Sequence, residues 1–232
     1  MTISWLSFQG SPNVGIYALA TNRYILAPPM ISDLKAKMLE KTLNAPLVRS
    51  SFSGTILLGV YAAANSNGMV LPDIVGEEEM KTFSTIVGNV VQVESRRNAL
   101  GNLILANDHG ALVAEPLYRE KEVVRAIRDT LGVEVAAGRI AGLPYVGSLA
   151  SANNKAALVH PERSDEEAEL IASLLKVQVD SGTVNRGSPF VGAGMLCNDS
   201  GVVVGSLTAG PELMIISNLF ENSSSTLKER SL

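Results

Sequence analysis

The chain is poor in the side chains that most often ligate metals or attack substrates: it has one cysteine, Cys197, and two histidines, His109 and His160. A single cysteine excludes an internal disulfide framework and fits a reducing compartment. Two histidines and a cysteine form no ligand cluster of known spacing, so no metal is expected. There is no phosphate-binding Walker loop, dinucleotide fingerprint or nucleophile elbow, and no cofactor is expected. A basic excess is also missing: 19 Lys and Arg stand against 23 Asp and Glu, for a net charge of −4. A protein that held nucleic acid mainly through its phosphates would carry the opposite sign. Aromatic residues make up only 5% of the chain, too few for a base-stacking platform. DNA is therefore not an expected partner. No apolar run reaches the roughly 18–20 residues of a membrane span. The first ten residues lack a basic region followed by an apolar stretch, so no leader is expected. These absences describe a soluble, cytoplasmic protein that does not engage membranes. Its composition, 46% hydrophobic and 18% charged, suffices for a large core.

What the chain does have is a repeat. Five times a seven-residue frame returns: Gly, four residues, a tiny residue, then Asn or Thr. The copies are Gly15–Thr21, Gly59–Asn65, Gly101–Asn107, Gly147–Asn153 and Gly192–Asn198. Successive glycines are 44, 42, 46 and 45 residues apart. Each frame is followed by turn residues such as Ser66-Asn67-Gly68 or Asp108-His109-Gly110, which tolerate the backbone of a tight hairpin. A second apolar run follows, ending in the first four copies near Pro28, Pro72, Pro116 and Pro161.

A helical pattern comes next. Its apolar faces are Leu34, Met38 and Leu43; Met80, Phe83 and Val87; Val123, Val124, Ile127 and Leu131; Leu170, Ile171, Leu174 and Leu175; and Leu213, Ile216 and Phe220. Ser32 is placed to cap the first of these helices, and Ser164 with Glu167 has capping-box spacing. A third strand closes each of the first four units, at Pro46–Ser50, Val90–Val93, Val133–Val135 and Val177–Val179. Such a unit cannot bury its own apolar face, whereas stacked neighbours can. The expected fold is an α/β ring of five pseudo-equivalent units in one domain over residues 1–222, strands towards the axis and helices outside. A polar, frayed tail is expected at 223–232.

The repeat also tests candidate chemistry. Cys197 is the one available thiol nucleophile, but Ala20, Ala64, Ala106 and Ala152 fill the same slot in the other copies. The position selects small size, and cysteine behaves there as a small hydrophobe. His109 falls in a hairpin slot that elsewhere holds Arg23, Asn67, Lys155 and Ser200. His160 precedes Pro161, where other copies have Ala27, Leu71 and Glu115. Neither position is built around an imidazole. The runs Glu77-Glu78-Glu79 and Asp165-Glu166-Glu167 suit helix N-termini. Arg119, Lys121, Arg125 and Arg128 read as a solvated helix face, and Arg96-Arg97 as an exposed pair. The ring of glycines is more informative. It packs backbone closely where strands converge, and it leaves a face with little side-chain obstruction. The residues after the glycines, Ile16, Val60, Asn102, Ser148 and Ala193, differ between copies. A binding preference can be written there without disturbing the fold.

Three stretches carry a family resemblance. One runs from Gly182-Thr183-Val184-Asn185-Arg186-Gly187-Ser188 through Ala193-Gly194-Met195 to Asn198-Asp199; the others are Ala99-Leu100-Gly101-Asn102 with Asn107-Asp108, and Val146-Gly147-Ser148. Together they resemble the archaeal and eukaryotic translation initiation factor six family, the ribosome anti-association factors, over roughly residues 1–220. The long C-terminal extension of eukaryotic members is absent, which makes an archaeal source the expectation.

The resemblance implies the pentein fold, a five-fold pseudosymmetric β/α propeller. It implies a monomer, not an enzyme, that binds the large ribosomal subunit on its inter-subunit face, against a ribosomal protein near the sarcin–ricin loop with at most a minor contact to ribosomal RNA. The small subunit is thereby kept away. Carried over by motif, the binding face comprises Gly15, Gly59, Val60, Asn102, Gly147, Ser148 and Leu149. Many members have a basic residue where this chain has Val60, and some have an aromatic where it has Leu149. The alternative is also drawn from the fold: penteins include guanidino-modifying enzymes such as arginine deiminases, which use a cysteine nucleophile in the central cavity. Cys197 would fill that role.

Overall fold

Each repeat opens with one turn of helix before it becomes a strand. The structure, a computed structural model, describes the backbone of residues 1–229 and the side chains of residues 1–221. The chain begins with β1 (Thr2–Leu6). Unit one is α1 (Val14–Tyr17), β2 (Leu19–Ala20), β3 (Ile25–Ala27), α2 (Asp33–Leu43) and β4 (Leu47–Arg49). Unit two is α3 (Leu58–Tyr61), β5 (Ala63–Ala64), β6 (Met69–Pro72), α4 (Glu77–Val87) and β7 (Val90–Val93). Unit three adds a short helix: α5 (Leu100–Leu103), β8 (Ile104–Ala106), β9 (Gly110–Ala114), α6 (Glu115–Tyr118), α7 (Lys121–Leu131) and β10 (Glu134–Gly138). Unit four is α8 (Val146–Leu149), β11 (Ala150–Ala152), β12 (Ala156–Val159), α9 (Asp165–Leu175) and β13 (Gln178–Ser181). Unit five is α10 (Val191–Gly194), β14 (Met195–Cys197), β15 (Gly201–Gly205) and α11 (Gly210–Glu229). The expected polar tail at 223–232 falls on side chains outside the described residues.

Among the described residues, five three-stranded sheets result. In each, the hairpin pair is antiparallel and the third strand joins the middle one in parallel, in the first four units after a crossover through the helix. Among the described residues, unit five has no third strand of its own. Its place is taken by β1, which pairs with β15 in parallel from Thr2↔Gly201 to Leu6↔Gly205. The first residues of the chain thus close the ring on the last unit.

The apolar cores lie between units. Leu39 and Leu43 of α2 pack with Leu6 and Val203 of the fifth sheet. Phe83 and Val87 of α4 pack with Leu26 and Tyr24 of unit one. Ile127 and Leu131 of α7 meet Val70 of unit two. Ile171 and Leu175 of α9 meet Leu112 of unit three, and Ile216 and Phe220 of α11 meet Leu158 of unit four. Each helix covers the sheet of the preceding unit, so a unit cut from the ring exposes both its sheet and its helix. Burying one Leu or Phe of this kind contributes about 1.5–3 kcal/mol.

Helix ends follow the sequence. Ser32 accepts from the Lys35 amide, and Ser164 with Glu167 forms the reciprocal capping box. Two apolar positions do not face the core. Leu34 is 81% exposed and Leu170 is exposed, because the buried stripe of α2 runs through Ala36, Leu39 and Leu43 and that of α9 through Ile171, Leu174 and Leu175. No helix among the described residues is long and apolar enough to cross a membrane.

Candidate functional site

The five glycines lie in helical turns, not in converging strands. Turns α1, α3, α5, α8 and α10 are too short to be stable alone. Each is held by a buried first residue, Val14, Leu58, Leu100, Val146 or Val191, and by packing against its two neighbours around the axis. At each glycine the carbonyl of the previous ring glycine comes so close that an added Cβ would overlap it. That Cβ would also stand no more than 2.9 Å from a second backbone carbonyl of the same neighbour, such as Ala62 O facing Gly101. All five glycines have ordinary negative φ. Close approach, and not backbone conformation, is what requires them.

An axial channel runs from this glycine ring. It holds a cavity of about 120 Å³ lined by the ring glycines and by small residues including Ala20, Ala64, Ala106, Ala152 and Cys197. A further pocket of about 30 Å³ lies among Asn65, Asn107, Asn153 and Asn198 at the other end. Here side chains do the closing. The Asn65 amide donates to Asn107 O at 3.0 Å and to Leu131 O at 2.9 Å; Asn107 repeats this onto Asn153 O and Leu175 O. Asn153 reaches Asn198 O, and Asn198 reaches Thr21 O and Leu43 O. Each side-chain oxygen accepts two amides of its own hairpin, as Asn107 does from His109 and Gly110. Thr21 is the exception. Its hydroxyl serves only its own turn, and Arg23 crosses the joint to unit two by donating to Ser66 O at 3.2 Å.

A second polar layer caps this end. Asn22 and Asn154 each donate to both Asp108 and Asp199, at 2.7–3.3 Å. Burial alone would raise the Asp108 carboxyl, but bonds from Asn154, Ser66 and Asn22 hold it below its ordinary value. Among the described residues, no group of three or more His, Cys, Asp or Glu is placed to hold a metal ion.

Cys197 borders the channel but is buried, with Ser151 Oγ at 3.3 Å from its sulfur. Burial pushes the thiol up to about 12, against a smaller lowering by Ser151. It is therefore protonated and weakly nucleophilic at neutral pH. His109 is exposed at its hairpin. His160 is buried and its Nδ1 accepts the Glu162 amide in a local turn. Among the described residues neither imidazole bonds to Cys197.

Of the sequence-derived face, Gly15, Gly59 and Gly147 belong to the ring, and Val60, Asn102 and Ser148 stand beside it, partly exposed. Leu149 does not belong to the face: it is fully buried, in the core beneath unit four. It is the last residue of α8, and the helical turn that the repeat frame did not reveal rotates it inward. Sequence reading missed Tyr145 and Phe190, which are 49% and 48% exposed. They are the residues preceding α8 and α10, two positions before Gly147 and Gly192. Their counterparts are Asn13, Leu57 and Ala99, so an aligned repeat could have singled them out as the aromatic pair.

Residues 3–219 match the eIF-6 family. The chain is similar to three proteins named translation initiation factor 6. That of Pyrococcus horikoshii is 41% identical, covering 93% of this chain and 97% of the relative. That of Pyrococcus abyssi is 40% identical with the same coverage. That of Thermococcus onnurineus is 40% identical, covering 93% of this chain and 96% of the relative.

Proposed function

This chain belongs to the eIF-6 family, and from that premise we propose that it acts as a translation initiation factor that binds the inter-subunit face of the large ribosomal subunit and blocks the small subunit. The glycine end carries the reading. Its centre is backbone held rigid by contacts that tolerate no side chain, while Ile16, Val60, Asn102, Ser148 and Ala193 vary around it. A preorganised surface loses little conformational entropy on docking against another large surface. The opposite end is occupied by its own hydrogen bonds and offers few free groups.

No bond needs to be made or broken. A monomeric ring covering a surface that the small subunit also requires excludes it by mass action, to the extent that its concentration exceeds its dissociation constant. The principal partner in this reading is a ribosomal protein near the sarcin–ricin loop, met by the uncharged residues of the ring in the cytoplasm. No cofactor takes part. The alternative, guanidino chemistry at Cys197, requires a thiolate, and burial opposes its formation.

The test is cosedimentation with separated subunits, followed by a subunit-joining assay. Stoichiometric binding to the large subunit alone, with joining suppressed, is expected; binding to neither subunit refutes the reading. Asn102→Arg is expected to weaken binding at least tenfold, about 1.4 kcal/mol, with thermal unfolding nearly unchanged. Undiminished binding would move the interface elsewhere.

A further inference from the structure

Four of the loops that lead into the ring turns share one design. Each makes a small antiparallel turn: Phe8↔Ser11, Phe52↔Thr55, Ile140↔Leu143 and Val184↔Ser188. Each tip has a residue and then a glycine in the left-handed region, as at Gln9-Gly10, Ser53-Gly54 and Ala141-Gly142. The fourth tip is one residue longer. Asn185, Arg186 and Gly187 have φ of 53°, 65° and 95°. A buried carboxylate fixes it: Glu212 accepts from Arg186 N at 3.1 Å, Gly187 N at 2.8 Å, Ala209 N at 2.7 Å and the Thr183 hydroxyl at 2.8 Å. Glu79 and Glu167 hold two of the other turns with the same chemistry.

The left-handed backbone is unfavourable for a side chain larger than Gly or Asn. Asn185 has a structural reason to be there. Its amide donates to Pro12 O at 3.1 Å, next to the start of α1, and so ties unit five to unit one beside the ring. The turn imposes the left-handed backbone on Arg186, as it does on Gln9, Ser53 and Ala141, and Glu212 holds its amide, but no contact of this kind accounts for its side chain. It is exposed, and among the described residues its guanidinium makes no ion pair and no hydrogen bond. A strained residue held by its surroundings, with a side chain that serves nothing within the molecule, points outward to a partner.

We propose that Arg186 grips a backbone phosphate of ribosomal RNA at the rim of the glycine end, an assignment that rests on the large-subunit reading above. The guanidinium is permanently charged and its planar fork matches a phosphate in two bonds. The other three shared turns present the uncharged side chains Gln9, Ser53 and Ala141, and the carboxylates of Glu79 and Glu167 lie against the tip amides of two of them. The remaining entry loop presents Arg96, exposed and without an ion pair among the described residues, though the exposed Glu94 lies on the same loop. On a protein of net charge −4, the charged side chains that the five loop tips themselves present are thus arginines at two tips, with carboxylates of other elements close by. A contact to one or two phosphates, and not a long run of them, fits both facts.

The experiment measures affinity for purified large subunits between about 50 and 200 mM salt, with thermal unfolding of each variant alongside. R186G removes the side chain and also relieves the backbone. It is expected to unfold at the same or a higher temperature and to bind about tenfold more weakly, with the log–log salt slope reduced by about one. R186K is expected to keep the slope and lose part of the affinity, because an ammonium lacks the fork. Unchanged affinity and slope in R186G would overturn the assignment. A lower unfolding temperature with undiminished binding would do so too, by making Arg186 structural. Lost affinity at an unchanged slope would assign the guanidinium to an acidic side chain of a protein and overturn the RNA contact. If the wild-type protein fails to bind, the large-subunit reading itself falls, and this assignment with it.

Discussion

The two ends of the axial channel close the same five-unit ring by opposite means. At the glycine end, atoms are left out, and backbones approach until no Cβ fits between them. At the asparagine end, atoms are added, and each carboxamide bonds its own hairpin and the next unit together. The difference shows which end is free to interact. A hydrogen-bonded ring uses its polar groups on itself, and altering one leaves its partners unpaired and buried. A backbone-packed ring constrains only the glycines. The residues immediately beside them carry no structural duty in common and differ from copy to copy. In the proposed reading the plugged end anchors the fold and the bare end is the docking surface.

Four measurements would break or sharpen this contrast. The largest effect is expected from Gly101→Ala. The added methyl meets Gly59 O and Ala62 O, both backbone atoms that cannot move without shifting a whole turn. A loss of about 4 kcal/mol or more is expected in denaturant unfolding. A stable Gly101→Ala protein would show that the ring is looser than its geometry. Asn107→Ala at the other end comes next, at about 2–4 kcal/mol, because it orphans two carbonyls and two amides in a buried site. Equal melting of wild type and variant would deny the network any energetic role.

Acid is expected to weaken the asparagine end through Asp108, and separately the Val184–Ser188 turn, whose buried Glu212 carboxyl is likewise held below its ordinary value by its hydrogen bonds. The Asp108 carboxyl is depressed in the folded state, so its contribution is present above the unfolded value of 3.8 and is lost as pH falls through the lower folded value. Stability measured below about pH 4 should fall more steeply in wild type than in Asp108→Asn, after correction for the variant's own lower baseline. Parallel curves would remove Asp108 from the account. The smallest effect is a gain. Thr21→Asn supplies the missing carboxamide at the one joint where Thr21 does not reach unit two, and about 1 kcal/mol of added stability is expected. A loss would mean that the Arg23 bridge to Ser66 already fills the joint and that the larger side chain disturbs it.

Some of this was readable from residue order alone. The five frames, the hairpin turns and the third strands are local features, and β7 lies where its apolar run places it, at Val90–Val93. The comparison of Cys197 with four alanines identified a size requirement before any pocket was visible. The candidate face was read less well. Glycines signal close packing but not its form, and a four-residue helical turn has no periodicity to detect. Leu149, carried onto the face by the family motif, is instead the inward end of α8. Leu34 and Leu170 were assigned to the core because a helical stripe three to four residues wide admits more than one choice of centre.

The sequence by itself determined how many units there are, what each contains and which positions must stay small, because these are set by short-range sterics repeated five times. The tertiary structure alone decided which units touch and through what. That β1 completes the fifth sheet, that each helix covers the preceding sheet, and that Glu212 and Asn185 fix the tip bearing Arg186 all depend on contacts between residues far apart in the chain. A repeat specifies the interface that every unit offers, and closure of the ring in space selects the neighbour that receives it.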